Sequence, residues 1–157
     1  MALQIAVCGP RAATEQDAAN AFQVGALLAE RGAVVICGGG VGVMASVAAG
    51  ARSRNGTVIG IRPTGTKEGA SSDLSVTIVT NLGEARNAVI VWSADAVISV
   101  GGSWGTLSEV ALAKHRGGIR VVSLGGWRVM DATGEPVPGI DHADNAEQAV
   151  RMALEDL

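Results

Sequence analysis

The chain alternates between short apolar runs and longer stretches that have the length and composition of helices. The short runs are rich in β-branched residues, and their nearly continuous apolarity is typical of strands buried on both faces of a parallel sheet. We predict strands at residues 4–8, 34–37, 57–61, 75–79, 96–100 and 120–124. We predict helices at residues 14–31, 43–54, 83–93, 106–116 and 144–156.

This alternation predicts the fold class. Short connections between strands and helices indicate an α/β protein, with helices on both faces of a mainly parallel sheet of about six or seven strands. We therefore predict a doubly wound, Rossmann-like fold. The length of 157 residues is that of one ordinary domain, so residues 1–157 are expected to form a single domain.

Two segments interrupt the alternation. Segment 63–73 is polar and contains glycines, and it is a candidate cover for a bound ligand. Segment 128–139 includes Asp131-Ala132-Thr133-Gly134, which resembles a tight turn. We predict that this second segment forms a hairpin leading to the last helix.

Charge and hydropathy exclude several classes of function. The 12 Lys and Arg residues face 15 acidic ones, and this balance argues against general nucleic-acid binding, which needs a basic field. The longest apolar stretches, 88–92 and 94–100, are far shorter than the roughly 20 residues that cross a bilayer. No secretory signal is visible at the amino terminus, so we expect a cytoplasmic protein without a membrane segment.

Cys8 and Cys37 each precede a glycine, and we expect both to be reduced and buried.

The 22 glycines, about twice the usual share, concentrate in turns that follow predicted strands. Carboxyl ends of parallel strands share one edge of the sheet, so these turns are expected to converge there. Glycine lets backbone amides approach an anion beside a helix amino terminus, which suits a phosphorylated ligand, although a single glycine at such a junction is often only a packing device. The residues predicted to contact this ligand are Gly9, Pro10, Gly38, Gly39, Gly40, Gly42, Gly101, Gly102, Ser103, Trp104, Gly105 and Thr106.

Neither a Walker loop nor the spaced dinucleotide fingerprint is present, which disfavours ATP hydrolysis and NAD-dependent oxidoreduction. His115 and His142 lack partners at metal-ligand spacing, so no metal site is predicted. Trp104 has two interpretations. It either covers a base or pterin ring, or anchors its loop in the core or at a dimer contact.

Glu109 also has two interpretations. With Thr106 it fits a capping box at the start of a helix. Alternatively, its carboxylate lies at the ligand edge of the sheet, where Arg86 is also expected to emerge after the fourth strand. Arg86 would then hold a phosphate or orient Glu109, whereas the alternative is an arginine in a solvated first turn.

Three stretches together resemble the Lonely Guy (LOG)-type superfamily, whose members were formerly described as lysine decarboxylases. They are residues 38–44, the pair Arg86-Asn87 and residues 95–109. This superfamily includes cytokinin-activating nucleoside 5′-monophosphate phosphoribohydrolases and molybdenum cofactor carrier proteins. The resemblance extends from Ile5 to about Leu124, and the chain looks closest to the short bacterial branch related to the carrier proteins.

Phosphoribohydrolases have a Pro-Gly-Gly-x-Gly-Thr-x-x-Glu signature preceded by an Arg-Lys pair. By resemblance, Arg86 and Glu109 correspond to the catalytic arginine and glutamate, and Gly102, Gly105 and Thr106 match identical residues. The chain departs from the signature at three positions. It has Gly101 where the signature has proline, Ser103 where the signature has glycine, and Asn87 where the signature has lysine.

The resemblance implies one main function and one alternative. The main expectation is hydrolysis of the N-glycosidic bond of a nucleoside 5′-monophosphate, with Arg86 and Glu109 catalytic and no cofactor required. The alternative is a non-catalytic carrier or sensor of molybdenum cofactor or another phosphorylated small molecule. Family members are usually dimeric, so a homodimer or higher homo-oligomer is expected.

Overall fold

The computed structural model describes residues 1–157 and contains one sheet of seven strands. The strands are β1 (Gln4–Cys8), β2 (Val34–Cys37), β3 (Val58–Arg62), β4 (Val76–Val79), β5 (Ala96–Val100), β6 (Arg120–Leu124) and β7 (Asp141–Ala143). The α-helices are α1 (Glu15–Glu30), α2 (Val43–Arg52), α3 (Arg86–Trp92), α4 (Trp104–Arg116) and α5 (Ala146–Leu154). A 3-10 turn, Gly83–Ala85, leads directly into α3.

The strand order, β4-β3-β2-β1-β5-β6-β7, confirms the predicted Rossmann-like architecture, and every strand pairing is parallel. The chain starts at the centre with β1 and moves outward to β4. It then returns through α3 to β5, on the other side of β1. The connection that leaves β1 and the connection that leaves β5 therefore run towards opposite edges of the sheet, which opens a crevice at the carboxyl ends of these two strands.

The helices cover both faces of the sheet and enclose two cores. Residues of α1, α2 and α5 pack with one face in a cluster of 24 buried residues. Residues of α3 and α4 pack with the other face in a cluster of 11. None of the helices combines the length and hydropathy that a bilayer crossing requires.

The α1 and α2 helices approach closely because each has a glycine at the contact. A Cβ atom on Gly50 would overlap the backbone carbonyl oxygen of Phe22, and one on Gly25 would overlap that of Val47. Both helices are thus held against each other at backbone distance. At its amino-terminal end, α2 is attached to the turn that follows β1, where the Val43 amide donates to the Pro10 carbonyl oxygen.

The carboxyl-terminal part of the chain differs from the prediction. In segment 128–139 the predicted hairpin is present in a minimal form, since one antiparallel bridge joins Met130 and Pro136 on either side of the turn at residues 131–134. The chain then adds the short edge strand β7, which pairs with β6. The sequence Asp141-His142-Ala143 contains no apolar run, so the pattern that revealed the other strands did not predict this one.

Candidate functional site

A cleft of about 480 Å³ lies at the carboxyl ends of the central strands, where the strand order diverges. The cleft contains both predicted reactive residues, Arg86 and Glu109. The predicted ligand-contacting residues that line it are Gly9, Pro10, Gly38, Gly102, Ser103, Gly105 and Thr106. Turns after β1, β2 and β5 therefore converge on one cavity.

Five other residues predicted to contact a ligand lie outside the lining of the cleft, namely Gly39, Gly40, Gly42, Gly101 and Trp104. A Cβ atom on Gly42, which has φ +67°, would overlap the carbonyl oxygens of Pro10 and Arg11. A Cβ atom on Gly101, which has φ +71°, would lie 2.8 Å from the carboxyl group of Asp17. Gly42 therefore allows its turn to pack against the turn after β1, and Gly101 allows the loop after β5 to pack against α1.

Trp104 lies at the surface next to the cleft. Its side chain is 78% exposed, and its ring meets that of Trp127 edge to face, with centroids 4.8 Å apart. The structure therefore does not anchor Trp104 in the core.

The loop after β5 turns directly into α4 at Ser103. The Ser103 hydroxyl accepts a hydrogen bond from the Thr106 amide at 3.2 Å, and the two hydroxyl oxygens lie 3.0 Å apart. The helix consequently begins at Trp104, two residues earlier than predicted. Thr106 occupies the third helical position, so it does not form a capping box with Glu109, and the Glu109 carboxyl group is available to the cleft.

Backbone donors are left free in this loop. The amides of Gly102, Ser103 and Gly105 donate no hydrogen bond within the protein, and all three residues line the cleft. The amides of Gly9 and Arg11, in the turn after β1, are also without a protein acceptor. Free amides at the start of a helix, as at Gly102, Ser103 and Gly105, are donors of the kind that bind anions, because the helix dipole adds to their partial positive charge.

Arg86 occupies the opposite side of the cleft in a fixed orientation. Its Nη1 donates to the carbonyl oxygens of Gly38, at 2.7 Å, and Ile61, at the ends of β2 and β3. Its Nε donates to the Asn87 side chain at 3.0 Å. Its Nη2 makes no hydrogen bond within the protein, so this nitrogen is available to an anionic ligand.

Asn87 supports this arrangement from a buried position, with only 3% of the residue exposed. Its amide oxygen accepts from Arg86, and its amide nitrogen donates to the Ser108 hydroxyl at 3.0 Å. Both polar atoms of the Asn87 side chain are therefore used in hydrogen bonds, one to Arg86 on α3 and one to Ser108 on α4. Where the phosphoribohydrolase signature has a lysine, this chain has a neutral positioning residue.

Glu109 is 8% exposed, and burial raises the pKa of its carboxyl group to about 7. The Cys8 thiol and the Arg86 charge lower this pKa to a lesser extent, and Glu84 raises it. No Arg86 nitrogen lies within the 4.0 Å of an ion pair with Glu109. Near neutral pH the carboxyl group therefore exchanges a proton readily rather than remaining a fixed negative charge.

Both cysteines are free and buried, as expected. Burial raises the pKa of Cys8 well above its ordinary value and that of Cys37 to about 11, so both thiols are protonated and weakly reactive.

Three residues that line the cleft were not predicted. Cys8 lies there beside Glu109, and the prediction missed it. Arg11 and Glu84 also line the cleft and were missed. Their position at strand-to-helix turns was the signal that pointed to Gly9 and Arg86, and it would have identified them as well.

A model of the SLOG cluster4 family matches residues 2–150 of the chain. The chain belongs to the SLOG cluster4 family. A protein of Archaeoglobus fulgidus is 46% identical over 123 residues, which make up 78% of this chain and 80% of that protein.

Two solved structures of similar proteins match almost the whole SLOG chain. The molybdenum cofactor binding protein of Rippkaea orientalis is 36% identical, with a TM-score of 0.85 over 96% of this chain and 94% of its own. The molybdenum cofactor carrier protein of Chlamydomonas reinhardtii is 28% identical, with a TM-score of 0.80 over 96% and 94%. These matches confirm the resemblance to LOG-type proteins related to molybdenum cofactor carriers.

Proposed function

We propose that this chain binds a phosphorylated pterin of the molybdenum cofactor class in the cleft and carries it without cleaving it. One observation carries the proposal. The free amides of Gly102, Ser103 and Gly105 face the same cavity as the free Nη2 of Arg86, which is a site for a phosphate group. The volume of about 480 Å³ is in the range of small-molecule cofactor sites, and two similar proteins are named as binding or carrying this cofactor.

The site also has features that favour carriage over cleavage. A glycosidase needs a stabilised negative charge near the developing cationic sugar. Here Glu109 is buried and forms no ion pair with Arg86 that would stabilise such a charge. The neutral Asn87 supplies no additional cation for a substrate phosphate.

Native mass spectrometry of protein purified rapidly under anaerobic conditions tests the proposal. We expect the additional mass of an intact phosphorylated pterin, which denaturation releases and which fluoresces after oxidation. A preparation that takes up no pterin when mixed with extracted molybdenum cofactor would contradict the proposal.

Replacing Arg86 by lysine is expected to weaken binding of a phosphorylated ligand about tenfold or more, because lysine keeps the charge but loses the planar fork. Isothermal titration calorimetry with adenosine 5′-monophosphate, and with the cofactor itself, measures the change. The matched control is Arg151→Lys on the exposed face of α5, which should bind as the wild type does. Equal affinity of Arg86→Lys and wild type would show that Arg86 does not contact the ligand.

N-glycosidic hydrolysis is the second candidate, and one observation favours it. Arg86 and Glu109 line the same cleft, and a carboxyl group with a pKa of about 7 can give a proton to a departing base. Incubation with AMP, GMP, IMP and N6-modified AMP, with chromatography of the released base, tests this activity. Base release by wild type, with trapping of the intact nucleotide by Glu109→Gln, would support hydrolysis. Absence of release from all four would contradict hydrolysis.

A further inference from the structure

Glu84 lines the cleft, and its carboxylate is exposed and unpaired. It takes part in none of the ion pairs of the chain, which are formed by Arg54 and Arg120, and it accepts no hydrogen bond from the protein. A carboxylate has two oxygens that accept hydrogen bonds, and it cannot donate one. Both oxygens of Glu84 are therefore available to the N–H groups of a ligand in the cleft.

The backbone around Glu84 is attached to the framework of the cleft. Glu84 belongs to the 3-10 turn Gly83–Ala85, which continues directly into α3. The Gly83 amide donates to the carbonyl oxygen of Pro63 at 2.9 Å, and Pro63 also lines the cleft. On the other side of the turn, Arg86 is bonded to carbonyl oxygens at the ends of β2 and β3. The Glu84 backbone is thus held on both sides, which limits where its carboxylate lies relative to Arg86.

The other polar side chains of the cleft are poorer acceptors. Both polar atoms of Asn87 are used, and the hydroxyl groups of Ser103 and Thr106 lie within hydrogen-bond distance of each other. Glu109 is buried, which raises its pKa to about 7, so near neutral pH its carboxyl group is partly protonated and can donate a hydrogen bond. Glu84 therefore remains as the free side-chain acceptor that a ligand can reach.

The groups that line the cleft suit two different parts of a ligand. The free amides of the loop after β5 and the Nη2 of Arg86 suit a phosphate, whereas Glu84 suits a group with N–H donors. Met44, Pro10 and Pro63 add apolar surface to the same cavity, which favours a flat ring. A ligand that has a phosphate and a ring with two adjacent N–H donors satisfies all of these groups.

We infer that Glu84 binds the edge of the ligand ring and selects a 2-amino-4-oxopyrimidine. The 2-amino group and the adjacent ring N–H of this ring point in the same direction, so one carboxylate accepts hydrogen bonds from both. Guanine and pterin rings have this edge, whereas adenine lacks the ring N–H and hypoxanthine lacks the 2-amino group. The inference rests on the proposed function for the phosphate of the ligand, and it adds the residue that recognises the ring.

Isothermal titration calorimetry with GMP and IMP tests the inference, because the two nucleotides differ only in the 2-amino group. Wild type is expected to bind GMP about tenfold or more tightly than IMP, since IMP lacks one hydrogen bond to a charged acceptor. In Glu84→Gln this preference should fall to about threefold or less, because the amide has one acceptor and no charge. IMP itself should bind this variant at least as tightly as wild type, because a charge that repels phosphate is removed. The matched control is Glu135→Gln, an exposed carboxylate outside the cleft, which should keep the wild-type preference.

Wild type that does not bind GMP, or that binds GMP and IMP equally, would overturn the inference, and so would an unchanged preference for GMP in Glu84→Gln. Competition between GMP and extracted molybdenum cofactor then distinguishes the two sources of the ring. If the preference for GMP depends on Glu84, displacement of GMP by the cofactor supports the proposed function as well. Without displacement, the same preference identifies a guanine nucleotide as the ligand and contradicts the proposed function. Equal binding of GMP and IMP, together with uptake of the cofactor, overturns the inference alone.

Discussion

Wild type is expected to lose about 3 kcal/mol of its free energy of unfolding between about pH 4.5 and pH 7, and replacing Glu109 by glutamine is expected to abolish this loss. Burial raises the pKa of this carboxyl group from 4.5 to about 7, so in this interval the folded protein holds a proton that the unfolded chain has released. The free energy of unfolding is therefore largest below pH 4.5, decreases as pH rises through this window, and is constant above it. Glutamine has nearly the same shape and does not ionise.

Urea unfolding of both proteins at pH 5, 6, 7 and 8 measures this difference. The free energy of wild type relative to Glu109→Gln should decrease across the series, and the subtraction cancels the titration of His142 and other groups. Glu135→Gln, a change of an exposed carboxylate, is the control and should remain parallel to wild type. Parallel curves for Glu109→Gln and wild type would mean that the Glu109 carboxyl group titrates normally. An anionic ligand should also bind wild type more weakly relative to Glu109→Gln as pH rises, because ionised Glu109 repels it.

The second large effect is expected for Gly50→Ala, which should destabilise the protein by about 3 kcal/mol. The added Cβ atom overlaps the backbone carbonyl of Phe22 on α1, and backbone atoms cannot move away as a flexible side chain can. The helices must separate, which opens their shared core. Since α2 begins beside the turns that form the cleft, ligand affinity should fall together with stability.

Chemical denaturation with Gly105→Ala as the matched control tests this prediction. A Cβ atom on Gly105 meets only the Ser103 hydroxyl, at 3.9 Å, and alanine favours a helix, so this variant should be as stable as wild type or slightly more stable. Identical denaturation midpoints for Gly50→Ala and wild type would show that α1 and α2 have room to adjust.

The sequence was most informative where strands are fully buried. The runs at Gln4–Cys8, Ala96–Val100 and Arg120–Leu124 have the boundaries that were predicted, because largely apolar runs with β-branched residues are typical of strands buried on both faces of a parallel sheet. Edge strands carry less of this signal. The β7 strand is polar, and its existence depends on pairing with β6 at long range, which periodicity along the chain does not encode.

The site was predictable to the extent that it follows from topology. Strand ends share an edge, which placed Arg86 and Glu109 in one cleft. Their separate environments were not predictable. The burial of Glu109 and the attachment of Arg86 to two carbonyl groups depend on packing between elements that are distant in sequence.

The divergence of the chain at β1 and β5 divides the cleft between the two halves of the polypeptide. The segment up to α3 supplies Gly9, Gly38 and Arg86, whereas the segment from β5 onward supplies Glu109 and the free amides of the loop before α4. Neither segment lines both sides of the cleft, so a nascent chain that has emerged only as far as α3 has an incomplete binding site. Capture of a ligand therefore requires both segments to be folded together, and two fragments separated before β5 would bind only after they recombine.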